Sequence, residues 1–166
     1  RTLARLGIPI LRTLSGSALM EGGSFAWINE RTAVIGCGVR VNREGAEQVG
    51  EVLKRQGVEL LIIDLFGYDL HIDGSFQMIS KDLAIVDPFG LPYSFLQKLK
   101  ELNVQTVEIS PADDRWSINS LAVAPGERLM PEGASNQTLD ALAKHGVSWT
   151  VVPYGKMQLN GGGIHC

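Results

Sequence analysis

One phrase is written four times along this chain: apolar residues at helical spacing, then a Gly or Asn, then at once an apolar strand. It reads "RTLARLG IPILRTL", "AEQVGEVLKRQG VELLIIDL", "FLQKLKELN VQTVEIS" and "TLDALAKHG VSWTVVP". The closing residues are Gly7, Gly57, Asn103 and Gly146, spaced by 50, 46 and 43 residues. These residue types tolerate the left-handed backbone that ends a helix. Val49, Val52 and Leu53, then Leu96, Leu99 and Leu102, then Leu139, Leu142 and Ala143 give each middle helix one face to bury.

Between the helices lie "GSFAWINERTAVIGC", "GSFQMISKDLAIVDP" and "NSLAVAPGERLMP", each reading as strand, polar turn, strand. The repeating unit is therefore strand, strand, helix, strand. A HEAT-like array does not suit it, because HEAT units lack strands, and ordinary propeller blades lack the helix. The chain is expected to be one α/β domain, incomplete at both ends, with a partial unit at 1–14, units at about 21–65, 71–110 and 117–153, and the start of a further unit at 161–166.

With 166 residues, 45% of them hydrophobic and 20% charged, the chain can bury one ordinary core. A net charge of -3 and scattered aromatics offer no basic stripe for nucleic acid. No apolar run approaches the ~20 residues of a membrane span, and the first residues lack a signal-peptide pattern. The expectation is a soluble, cytoplasmic protein with no nucleic-acid or membrane partner, and self-association is left open. Cys37 and Cys166 make neither a disulfide framework nor a C-x-x-C pair. Cys37 sits in an apolar strand and reads as core.

Aligned on their turns, the units place unusual polar residues at the leading edge of each first strand: Glu21, His71 with Asp73, Asn119, and Cys166. The steps from Glu21 to His71, Asn119 and Cys166 are 50, 48 and 47 residues, so pseudo-symmetry should gather these edges about one pocket. Glycines ahead of Cys166 permit close backbone approach and offer amide donors. A thiolate to attack, a histidine to move protons and carboxylates to hold a cation form a coherent chemical set.

"MEGGSF", "HIDGSF", "NSLAVAPGE" with "ASNQTLDAL" downstream, and "NGGGIHC", in that order, resemble the guanidine-modifying (pentein) superfamily of arginine deiminases, dimethylarginine dimethylaminohydrolases and amidinotransferases. The resemblance implies a pseudo-symmetric α/β propeller of five such units, only part of which is present. It implies that Cys166 attacks the guanidinium carbon, that His71 protonates the departing amine and then activates water, and that Asp73 pairs with guanidinium N–H groups. Glu21 would hold substrate or orient His71. Arg40, in "GCGVRVN", falls where relatives place an arginine against a substrate α-carboxylate, and Asn119 is expected to contact substrate. Ser24 stands where relatives commonly carry an acid after "EGG".

The resemblance thus implies a hydrolase of arginine or a methylated arginine working through a cysteine thiouronium, with a small guanidino compound as partner and no cofactor or metal. Amidino transfer to an amine is the alternative, and a guanidine-binding module without turnover a further one. A zinc site of His71, Asp73, His165 and Cys166 is a separate possibility, weakened by the lack of compact ligand spacing. His165 should face away from Cys166 along a strand. His145 reads as a helix-end residue, and Trp27, Trp116 and Trp149 as packing.

Overall fold

A computed structural model describes residues 2–114 and 116–166. Its recurring unit is a three-stranded sheet in which an antiparallel hairpin is followed by a helix that returns the chain to a third strand, parallel to the middle one. The first unit comprises β1 (Phe25–Asn29), β2 (Thr32–Cys37), a helix over Arg43–Arg55 and β3 (Glu59–Asp64). The second comprises β4 (Phe76–Ser80), β5 (Leu83–Val86), a helix over Tyr93–Glu101 and β6 (Gln105–Glu108). The third comprises β7 (Leu121–Ala124), β8 (Glu127–Pro131), a helix over Asn136–Lys144 and β9 (Ser148–Val152). In chain order the helices are α1 (Thr2–Arg5), α2 (Arg43–Arg55), α3 (Tyr93–Glu101), α4 (Asn136–Lys144) and α5 (Gly155–Gln158).

The four residues expected to stop helices all carry a left-handed backbone: Gly7 at φ 71°, Gly57 at 77°, Asn103 at 58° and Gly146 at 72°. Asn103 is the non-glycine residue with positive φ among the described residues. Asparagine tolerates this region because its short polar side chain bonds locally. At the other end of α2, Asn42 Oδ1 accepts from Gly45 N (2.8 Å) and from Leu19 N (3.0 Å). It caps the helix and ties the incoming chain to it. Ser135 caps α4, and His145 is that helix's closing residue.

β2 and β5 are covered on both faces, which explains their continuous apolar spelling. On β2, Ala33, Ile35 and Cys37 face the clusters that contain Ala46, Val49 and Leu53 of α2. Val34, with Leu61 and Ile63 of β3, faces Phe95 and Leu99 of α3. The alternation repeats one unit later. Ala84 and Val86 of β5 turn toward α3, whereas Leu83 and Ile85, with Val107 of β6, turn toward Leu139 and Leu142 of α4. The first two sheets are thus each closed by their own helix and by the helix of the following unit, and the units interlock rather than stack as beads.

Two stretches differ from expectation. Residues 8–14 form no strand: Ile8, Ile10 and Leu11 are exposed. The equivalent segments β3, β6 and β9 pair with a hairpin strand of their own unit, whereas residues 8–14 pair with no strand among the described residues. Residues 161–166 are likewise irregular rather than the start of a strand. β1, β4 and β7 are each held by the strand after their turn, whereas residues 161–166 pair with no strand among the described residues. No helix among the described residues is long and apolar enough to cross a membrane.

Candidate active site

The leading ends of the first strands meet. Short 3-10 turns over Gly22–Ser24 and Ile72–Gly74 introduce β1 and β4, with Glu21 and His71 at the position ahead of each. His71 Nε2–H donates to Glu21 Oε2 at 2.7 Å. An ionised carboxylate only accepts, so this bond places the ring proton on Nε2 and leaves Nδ1 as the accepting nitrogen. The bond to His71, aided by Arg40, outweighs desolvation and holds the Glu21 carboxyl below the usual carboxylate range. Gly23 makes the approach possible, since a Cβ there would lie 2.8 Å from the His71 ring.

Asp73 is buried, and its Oδ2 accepts from Asn119 Nδ2 at 3.3 Å and from His165 Nδ1 at 3.2 Å. Asn119 Oδ1 in turn accepts the backbone N–H of His165 at 2.8 Å and lies 3.8 Å from Cys166 Sγ. The Gly163 amide donates to that sulfur at 3.2 Å. A Cβ on Gly163 would sit 1.9 Å from Asn119 Oδ1, so the glycine run is what lets the 163–166 segment lie on Asn119.

His71, Asp73 and Cys166 line one cleft of about 290 Å³, together with Asp69, Asp87 and Trp116. The cleft wall therefore carries three aspartates, a histidine and a thiol. That combination suits a small cation with an electrophilic carbon. Asp69 and Asp87 escaped the sequence reading, because each sits in a loop whose place is set by packing; the signal available was an acid directly after a strand, as in "AIVDP".

Of the expected site residues, Glu21, Arg40 and Asn119 do not line this cleft. Arg40 Nη1 pairs with Glu21 Oε1 at 3.3 Å and is not part of the cleft wall, and its guanidinium braces the Glu21–His71 pair. Asn119 is fully buried behind the wall, where it orients Asp73 and the 163–166 segment. Ser24 is buried and its Oγ donates to Leu70 O at 3.2 Å, fastening the chain just ahead of His71. Trp116 lines the cleft, and Trp27 is half exposed with an edge contact to Phe25, so packing describes Trp149 but not these two. Cys37 is buried, and burial pushes its thiol up. Among the described residues no three His, Cys, Asp or Glu side chains are placed to hold a metal ion.

Behind this site Arg128 is buried on β8 with no carboxylate among its partners in the described residues. It donates to Gln77 Oε1 (2.5 Å) and to Ser120 Oγ (2.8 Å), and to the carbonyls of Ser120 (3.0 Å) and Met78 (3.2 Å). Burial lowers its pKa to about 10, which leaves it charged at neutral pH. Gln77 Nε2 reaches back to Asp73 O at 3.4 Å, so the arginine steadies the turn that carries Asp73.

This mixed α/β fold of three small sheets is shared with solved structures of a DDAH, an amidinotransferase and an arginine dihydrolase. A DDAH of Pseudomonas aeruginosa, complexed with citrulline as a cysteine-to-serine variant, is 18% identical with a TM-score of 0.74, over 91% of this chain and 55% of its own. An amidinotransferase of saxitoxin biosynthesis from Microseira wollei is 16% identical with a TM-score of 0.74, over 87% of this chain and 45% of its own. The N-terminal domain of a cyanobacterial arginine dihydrolase, bound to product, is 18% identical with a TM-score of 0.74, over 88% and 54%. The chain thus spans about half the length of these proteins. No protein-family profile and no curated sequence matches it.

Proposed function

We propose that the chain is part of a cysteine-dependent enzyme acting on a guanidino group, and that its units belong to a closed propeller of the pentein kind. The observation that carries this reading is the shared cleft, with Cys166, His71 and Asp73 on one wall and two further aspartates beside them. Asp73 holds guanidinium N–H groups through charge-assisted hydrogen bonds. The Cys166 thiol passes its proton to His71 Nδ1 and the thiolate adds to the guanidinium carbon; a C–N bond then breaks, and the departing amine takes that proton from His71. Water, deprotonated by His71, then attacks the thiouronium carbon. The C–S bond breaks, the ureido product leaves and the thiolate returns. Glu21 steadies the imidazolium that forms on His71, as a carboxylate at 2.7 Å does.

Hydrolysis of arginine or a methylated arginine is the leading reading. An amine in place of the water gives amidino transfer by the same groups, a branch supported by the likeness to the Microseira amidinotransferase. Citrulline and ammonia released from arginine, measured for the chain and for Cys166→Ala, test the proposal. Product in the first and none in the second is expected. Turnover that survives the substitution overturns the thiol mechanism, and guanidine binding without product in either protein favours a binding module.

A further inference from the structure

Asp73 is a wall shared by two cavities. It lines the cleft that holds Cys166, and it also lines a second cavity of about 370 Å³ between the first strands, where His165, Trp27, Phe76 and Arg128 gather. Neighbouring residues of one segment therefore reach the site from opposite sides, the Cys166 sulfur in the cleft and the His165 ring from behind the acid.

We propose that His165 is a positioning residue for Asp73: its Nδ1–H anchors Oδ2, holds the carboxylate in one rotamer against the cleft, and couples that rotamer to the seating of the segment that carries Cys166. Three bonds close a triangle. The His165 ring and the Asn119 amide both donate to Asp73 Oδ2, at 3.2 and 3.3 Å. The His165 backbone N–H donates to Asn119 Oδ1 at 2.8 Å. That last bond fixes which end of the Asn119 amide faces Asp73. The Asp73 side chain, only 11% exposed, needs donors, and among the described residues the side chains donating to it are one amide and one imidazole, with neither Lys nor Arg among them. With both donors on the same oxygen, the carboxylate's torsional freedom is spent before a ligand arrives, which favours a directional contact. What Asp73 is presented to rests on the guanidine reading above; the anchoring does not.

The tautomer of His165 decides the proposal. Nitrogen-15 NMR of the intact chain should show His165 protonated on Nδ1, reverting to the Nε2–H form in Asp73→Leu; an Nε2–H ring in the unsubstituted chain overturns it. The second arm measures methylguanidine affinity through protection of Cys166 from iodoacetamide. Histidine 165 replaced by phenylalanine (H165F) should bind about 10-fold more weakly, and H165N, whose amide can donate from near the Nδ1 position, should bind as the unsubstituted chain does. Equal affinity in H165F, with its fold intact by circular dichroism, also overturns the proposal. Failure of the unsubstituted chain to bind methylguanidine counts against the guanidine reading, and the tautomer still judges His165.

Discussion

At the scale of single residues the site is built from hydrogen bonds that leave little play. Glu21 illustrates the sign of the pH effect. Its carboxyl lies below the usual range because His71 donates to it, so the stabilisation it lends is complete above the ordinary carboxylate pKa and is lost as pH falls through the lowered value. Carbon-13 titration should therefore give Glu21 a midpoint below that of an ordinary exposed glutamate, and His71→Ala should move it upward. The two thiols should separate chemically. Cys37 is buried with a raised pKa, whereas Cys166 is exposed. Iodoacetamide on the native chain should label Cys166 alone, and Cys37 only after denaturation, as peptide mass spectrometry would read. Gly163→Ala tests the close approach at Asn119. Its Cβ would meet Oδ1 at 1.9 Å, so the 163–166 segment should lift, and the fold, held by other residues, should keep its melting temperature while methylguanidine protection of Cys166 is lost.

At the scale of elements, the units are punctuated by a few backbone positions. Asn103 holds φ 58° at the end of α3. Asn103→Val should cost about 1–2 kcal/mol in urea unfolding, because a β-branched side chain collides with the carbonyl in that region, and Asn103→Gly should be neutral or stabilising. Asn42→Ala removes the cap of α2 and the bond to Leu19 together. A loss of about 1 kcal/mol is expected from the cap alone, with faster amide exchange at Leu19 as the local signature.

At the scale of the whole molecule, stability lies between units as much as within them. Phe95 and Leu99 of α3 pack on Val34 and Leu61 of the preceding sheet, and Leu142 of α4 on Ile85 and Val107. Phe95→Ala should destabilise by about 3–5 kcal/mol, and it should lower the transition seen by a probe in the first unit, such as Trp27, along with one in the second. Independent melting of the units would contradict the interlocking. Arg128 works at the same scale. Set on β8, it bonds Gln77 and Met78 of β4, so one buried cation ties two sheets together and, through Gln77, steadies the turn of Asp73.

Much of this was legible in the letters. Helix stops at Gly57, Asn103 and Gly146 follow from local backbone preference, and hairpins and buried helix faces from apolar spacing, because both are short-range properties. The repeat also marked Glu21, His71, Asp73, Asn119 and Cys166 as positions that a pseudo-symmetric fold would bring to one place. Which of them face the cleft was decided by packing. Asn119 went behind the wall, Arg40 went to Glu21, and Asp69 and Asp87 entered from loops that no periodicity marks. Residues 8–14 and 161–166 carry strand or strand-start spelling without strand structure, since a strand needs a partner and a sequence pattern supplies only one side of the ladder. The sequence by itself determined the unit and its order; the tertiary structure decided which polar atoms meet, because those distances depend on how three sheets lean on one another's helices.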